Sequence, residues 1–259
     1  MIKTQSIFTR NLFAITLSLS FSLGAVAAES TPIAEFSQCT FKPGKDAGDL
    51  AKATTYWQKQ MAKIYPEGSS YLAAIYTPIW GDRDGDFVWG GFSPNLNNWA
   101  ANSAAYMNSK EAKAANDKFD AVADCSPPNT YMIKGLHQGM ESKPDDNMAI
   151  AEIFSCTLNE GKTMSNVMAA EQAWNAQAAA MKIPTNSWRF TPAWANTQSD
   201  LAYMVLHDDL VAFAANTTNW QSQSGTSAID AGFASVMNCE SFVMSSELVS
   251  RPTVGWPDQ

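Results

Sequence analysis

The chain has 259 residues, 25 acidic against 17 basic, and a formal net charge of −8. An acidic surface with no Lys/Arg cluster repels phosphate, so nucleic acid and anionic membrane are excluded as expected partners. With two histidines in the whole chain, a multi-histidine metal site is excluded as well.

In chain order, Lys3 and Arg10 precede an apolar run from Leu12 to Val26, and Ala25-Val26-Ala27-Ala28 has the small-residue spacing of a signal-peptidase site. Residues 1–28 therefore read as a signal peptide, with the mature protein beginning near Ala28 or Glu29 in the periplasm or outside the cell. The run is short for a membrane span and no second one follows. Cys39, Cys125, Cys156 and Cys239 all lie beyond it, and an even count in an oxidising compartment favours disulfides.

The remaining chain repeats itself. "IAEFSQCTF" at Ile33–Phe41 returns as "IAEIFSCTL" at Ile150–Leu158. At the same offset Leu50 falls on Val167, Trp57 on Trp174 and Ile64 on Met181. After one short deletion "YTPIW" (Tyr76–Trp80) falls on "FTPAW" (Phe190–Trp194), Trp89 on Tyr203, Asn102 on Asn216, Tyr106 on Trp220, Phe119 on Phe233 and Cys125 on Cys239. Two copies are too few for a solenoid or propeller. The expected repeats are 29–140 and 147–250, followed by a tail at 251–259.

Each copy has the same expected elements. Ala34–Phe41 is a strand stopped by "KPGKDAG". Leu50, Ala53/Thr54, Trp57, Met61 and Ile64 recur at helical spacing. Tyr71–Trp80 and Asp86–Ser93 flank "GDRDG" as a hairpin. Asn97–Ala123 is a second helical stretch, long or broken, "SPPN" stops it, and Thr130–Lys134 is the last strand. The order β-α-β-β-α-β is that of the ferredoxin-like unit. One face of its sheet lacks helices, and the second copy supplies the cover.

This order, the duplication and "YMNSKEAKAANDKF" (Tyr106–Phe119) resemble the dimeric α+β barrel family, which includes antibiotic-biosynthesis-monooxygenase-like domains. The resemblance implies an α+β fold, with two tandem ferredoxin-like units packed sheet to sheet as one intramolecular barrel, and hence a monomer. It also places the last strand beside the first, which implies Cys39–Cys125 and Cys156–Cys239 bridges, each contributing about 4 kcal/mol.

Catalytic signatures are scarce. No phosphate-binding glycine loop, zinc-protease helix or c-type haem motif occurs. In "GDRDGD" (Gly81–Asp86) the glycine sits one place too early for a calcium loop and Ser93 stands where a bidentate Glu is needed, so a hairpin turn is expected and no metal. Residues shared by the copies, such as Trp57/Trp174, Pro78/Pro192 and Trp80/Trp194, are most simply structural.

Divergent positions are freer to serve a site. "VWGGFS" (Val88–Ser93) stands where copy two has "AYMVLH" (Ala202–His207), so Gly90 and Gly91 leave a hollow in copy one. Copy two puts Arg189 for Ile75 and His207 for Ser93; by strand alternation Tyr203 and His207 share a face and Arg189 shares one with Thr191, and if the two faces are the same the three converge to orient an anionic or phenolic ligand and move a proton. The plainer alternative pairs Arg189 with Asp200 and lets His207 end its strand.

Two functional readings result, beside a third in which the chain is a purely structural or protein-interaction module. The first is an exported binding or accessory protein whose barrel or sheet–helix pocket takes a small hydrophobic or aromatic ligand, through Trp80, Trp89, Gly90, Gly91, Trp194 and Tyr203, with no cofactor. The second, implied by the resemblance, is a cofactor-independent monooxygenase, cyclase or isomerase acting on an aromatic or polyketide-like substrate, with His207 as base and Arg189 as orienting cation. Some relatives degrade haem with a helix histidine. Neither His137 nor His207 lies in a long helix here.

Overall fold

A computed structural model describes residues 31–81, 84–141 and 147–254. The expected signal peptide, with Ala28 and Glu29, and most of the expected tail lie outside these residues, as do Asp82 and Arg83 of the hairpin turn. The first unit runs β1 (Ile33–Phe41), α1 (Ala47–Ile64), β2 (Leu72–Trp80), β3 (Phe87–Ser93), α2 (Leu96–Met107), α3 (Lys110–Asp120), β4 (Ala123–Cys125) and β5 (Asn129–Gln138). The second runs β6 (Met148–Leu158), α4 (Met164–Met181), β7 (Asn186–Trp194), β8 (Leu201–His207), α5 (Leu210–Ser222), α6 (Thr226–Val236) and β9 (Met237–Ser250).

Two local features refine the sequence expectation. The second helix, expected as long or broken, is broken in both units. In the first, Asn108 caps the end of α2 and Ser109 caps the start of α3, its Oγ accepting from the N–H groups of Glu111 and Ala112. The last strand of the first unit is also longer than Thr130–Lys134 and is split into β4 and β5. Pro127 and Pro128 lie in the gap and have no N–H to donate to a ladder. The second unit has no proline there, and β9 runs unbroken for 14 residues.

Among the described residues nine strands form one antiparallel sheet in the order β3-β2-β9-β6-β8-β7-β5-β1-β4, closed by a β1–β3 pairing. The two units therefore join edge to edge, β2 with β9 and β5 with β7, and the sheets curl into one barrel. Inside, Phe36 stands among Tyr76, Phe92, Tyr131 and Phe190, with ring centroids 5.5–6.1 Å away and edge-on geometry. With Ala34, Ala151, Met204 and Met244 also packed inward, the barrel interior is a side-chain core, not a ligand chamber.

Helices cover the outer face of each unit. The disulfides join Cys39 to Cys125 and Cys156 to Cys239, clasping the first strand of each unit to its last across directly paired positions. Asp86 and Asp200 do equivalent work: Asp86 accepts from the Phe41 N–H and Asp200 from the Leu158 N–H, each at 2.7 Å. The paired occurrence marks both carboxylates as structural, and Asp200 is not the partner of Arg189. Among the described residues no group of side chains could hold a metal ion, and no helix is long and apolar enough to cross a membrane.

Candidate functional site

A cavity of about 610 Å³ opens between the outer face of the second unit's sheet and its helices. Strand alternation aims every second side chain of β6, β7 and β8 at it: Glu152 and Phe154, Ser187, and Tyr203, Val205 and His207. From the opposite side α4 contributes Glu171 and Trp174, α5 contributes Asn216 and Trp220, and α6 contributes Asp230 and Phe233. Trp174 and Trp220 stand 6.1 Å apart, and Trp220 Nε1 donates to Asp230 Oδ1 at 3.1 Å, which holds α5 to α6. The first unit makes the matching clasp from Tyr106 Oη to Asn116 Oδ1 at 2.5 Å.

The polar side of the cavity is layered. Arg189, 13% exposed, donates from Nη1 to Glu171 Oε2 at 2.6 Å, and Tyr203 Oη donates to Glu171 Oε1 at 2.9 Å. Burial and then the adjacent Glu171 charge push the Tyr203 phenol far above its ordinary range, so it stays protonated as the donor. The two Glu171 oxygens are thereby engaged. Nearby, Asn216 Nδ2 lies 3.2 Å from His207 Nδ1. With the amide nitrogen as donor, Nδ1 is the accepting ring nitrogen. His207 is 3% exposed, its Nε2 makes no hydrogen bond, and the nearest anion is Glu152 Oε2 at 3.8 Å. The Thr185 and Ser187 hydroxyls, each in a residue 2% exposed and lining the cavity, are also unpartnered.

The hollow therefore lies in the unit opposite to the one expected. A Cβ on Gly91 would fall 1.8 Å from Tyr71 Oη, because that ring lies across the glycine. Gly90 faces inward, where a Cβ would meet the Tyr76 ring at 2.7 Å and the Phe36 ring at 3.1 Å. Both glycines make room for aromatic rings, not for a ligand. In the second unit Thr185 stands at the Tyr71 position and Val205 at that of Gly91, so no ring crosses the sheet. A methyl-bearing strand residue restores far less volume than the missing phenol removes, and the space stays open.

Of the residues singled out from sequence, Tyr203 and His207 line the cavity, and Arg189 shares their face but stands behind it, bound to Glu171. Trp89 is packed in the first unit's core, 5.1 Å from Trp57 and 5.2 Å from Phe119. Trp80 and Trp194 are exposed and reach across the units, Trp80 to Phe213 and Trp194 to a stacked Trp99. Glu152, Glu171, Trp174, Thr185 and Trp220 were not singled out as site residues. One signal was present: Glu171 stands where copy one has Thr54, in the same copy that has Arg189 for Ile75, so both opposite charges occur in one copy and neither in the other.

Neither a family model nor a curated protein matches the chain in sequence. Solved structures do match it in shape. A provisionally assigned monooxygenase of Fusobacterium nucleatum superposes with a TM-score of 0.56 at 11% identity, covering 89% of this chain and 98% of its own. The fold is a dimeric α+β barrel closed within one chain. A chlorite dismutase mutant from Candidatus Nitrospira defluvii (TM-score 0.51, 8% identity, 84% of this chain and 92% of its own) shares this barrel. So does a haem-binding protein from Thermus thermophilus (0.50, 9%, 85% and 91%). Identity this low speaks for the α+β barrel alone; chemistry rests on the residues.

Proposed function

We propose that this protein binds a small apolar or aromatic molecule in the helix-covered cavity of its second repeat, as an exported, monomeric binding or accessory protein. The observation that carries the reading is the cavity itself, walled by Phe154, Trp174, Trp220 and Phe233 and carrying unpartnered polar atoms of Thr185, Ser187 and His207. A buried hydroxyl or imidazole without a partner costs about 1–3 kcal/mol, and a ligand or water that satisfies it recovers part of that. The two disulfides support an oxidising compartment. Duplication supports a monomer, since one chain supplies both sheets of the barrel. Native mass spectrometry of protein from its source tests the reading: a bound small molecule lost on Trp174→Ala is expected, and a ligand retained there would place it elsewhere.

The ligand's expected charge changes. Arg189 is occupied by Glu171 and does not face the cavity, so the anion-orienting role it was expected to play has no free cation behind it.

A second reading, a cofactor-independent monooxygenase, cyclase or isomerase on an aromatic or polyketide-like substrate, is favoured by the Glu152–His207–Asn216 arrangement. With Nδ1 turned to the Asn216 amide, a proton on Nε2 makes His207 a donor to a developing enolate or phenolate oxygen, while the Glu152 carboxylate accepts the substrate proton. Loss of about 10²-fold or more in kcat on Glu152→Gln, with KM little changed, is its expected signature, and an unchanged kcat overturns it.

Haem, carried by one structural relative, does not fit these residues. His207 Nδ1 is taken by the Asn216 side chain, and the approach to Nε2 is shared with the Glu152 carboxylate 3.8 Å away. His137 Nε2 lies 2.9 Å from the Ile183 carbonyl, to which it donates, and His137 does not line the cavity. The Tyr203 phenol is kept protonated by burial and Glu171.

A further inference from the structure

The cavity's charge is one-sided. Glu152, Glu171 and Asp230 line it, and no lysine or arginine does. Glu171 is neutralised by Arg189, and Asp230 accepts from the Trp220 indole. Glu152 is different: the nearest basic group on the cavity wall is the His207 ring, whose Nε2 lies 3.8 Å away, beyond hydrogen-bond reach, and the Glu152 side chain is 24% exposed on a wall that water shares. It stands between Phe154 on its own strand and Val205 on the next. Beyond it Trp174, Trp220, Phe233 and Tyr203 present aromatic rings. Ring faces carry negative quadrupoles, so they attract a cation and offer an anion nothing. The unpartnered Thr185 and Ser187 hydroxyls add acceptors for an N–H group.

Resting on the reading of this cavity as a binding site, we propose that its ligand is an organic cation, an amine or quaternary ammonium on an aromatic or apolar body, with Glu152 as the counter-charge. The same glutamate exists in the first unit as Glu35, where burial raises its pKa above the ordinary 4.5 and the Trp99 side chain partly offsets this. There the outer face is closed by Tyr71 and Trp89. Only in the second unit does the carboxylate face an open aromatic space.

Three probes on one ring system separate the charge from the pocket: 2-naphthylmethylammonium, 2-naphthylmethanol and 2-naphthoate, titrated calorimetrically at pH 7 and low salt into the full disulfide-bonded protein. The ammonium is expected to bind about tenfold or more tightly than the alcohol, and the naphthoate weakest. Glu152→Gln, a same-shape change at a partly exposed side chain, is expected to erase the ammonium's advantage and leave the alcohol's Kd within about twofold. An alcohol or naphthoate that matches or exceeds the ammonium overturns the cation proposal and leaves the pocket standing. An advantage that survives Glu152→Gln overturns the counter-charge assignment. Silence of all three with folded wild-type protein overturns the pocket reading, and this proposal with it.

Discussion

The two halves of this barrel share a backbone plan and most of their anchors, yet one outer face is shut and the other open. In the first unit Trp57, Tyr71, Trp89 and Phe119 close over the sheet; in the second Trp174, Thr185, Tyr203 and Phe233 leave about 610 Å³. The difference comes from very few positions. A phenol that lies across Gly91 has been traded for a threonine beside a valine, and an apolar contact at Ile75 has been traded for a buried Arg189–Glu171 pair. The lesson is that a site in a duplicated fold needs no new element. It needs one missing side chain, and polar groups anchored behind the space this leaves.

The largest expected effect concerns that anchored pair. Arg189→Met strands the Glu171 carboxylate, at 6% side-chain exposure, and is expected to cost about 3–5 kcal/mol in urea unfolding. Changing both residues to their first-unit counterparts, Glu171→Thr with Arg189→Ile, removes the charges together and is expected to restore most of that loss. A single variant as stable as wild type would mean that the pair is not buried against the sheet.

Closing the second unit is the next test. Thr185→Tyr with Val205→Gly copies the arrangement of Tyr71 over Gly91, and ligand affinity is expected to fall about a hundredfold or more with the melting temperature little changed. Affinity that persists would place the ligand outside this cavity. The reverse intrusion, Gly91→Val, drives a Cβ into the Tyr71 phenol and is expected to destabilise by about 1–3 kcal/mol without touching ligand binding.

The smallest expected effect is a pH dependence. Glu35 has its pKa raised above 4.5 by burial, so the folded state holds its proton more tightly than the unfolded state does. Stability from this group is present below pH 4.5 and is lost as pH rises through the folded-state value. Glu35→Gln is therefore expected to gain on wild type as pH rises from 4 to 7, read as a growing difference in melting temperature. A difference independent of pH would show that Glu35 is not desolvated.

Much of the frame was legible before any coordinates. The repeat of "IAEFSQCTF" as "IAEIFSCTL", with a cysteine at the same place in each, pointed to two ferredoxin-like units, and the unit's strand order brought each cysteine beside its partner. The broken last strand was missed although Pro127 and Pro128 stood in plain view. The site was read less well, because comparing copies treats a shared residue as structural and a glycine as empty space. Glu35 and Glu152 are the same residue in the same register, opposite Gly91 and Val205 respectively, and only the second faces a cavity.

Periodicity, repetition and cysteine placement are carried by the chain order itself, since backbone hydrogen bonding and the burial of alternating faces act on neighbours a few residues apart. Whether a given face is open depends on side chains that reach over one another from different strands and helices. The volume above Gly91 belongs to Tyr71, just before the adjoining strand, and the charge of Arg189 is settled by Glu171 of the covering helix. Such contacts form only when the sheet curls and the helices close on it, which is why the cavity, its anionic wall and its place in the second unit came from the folded molecule.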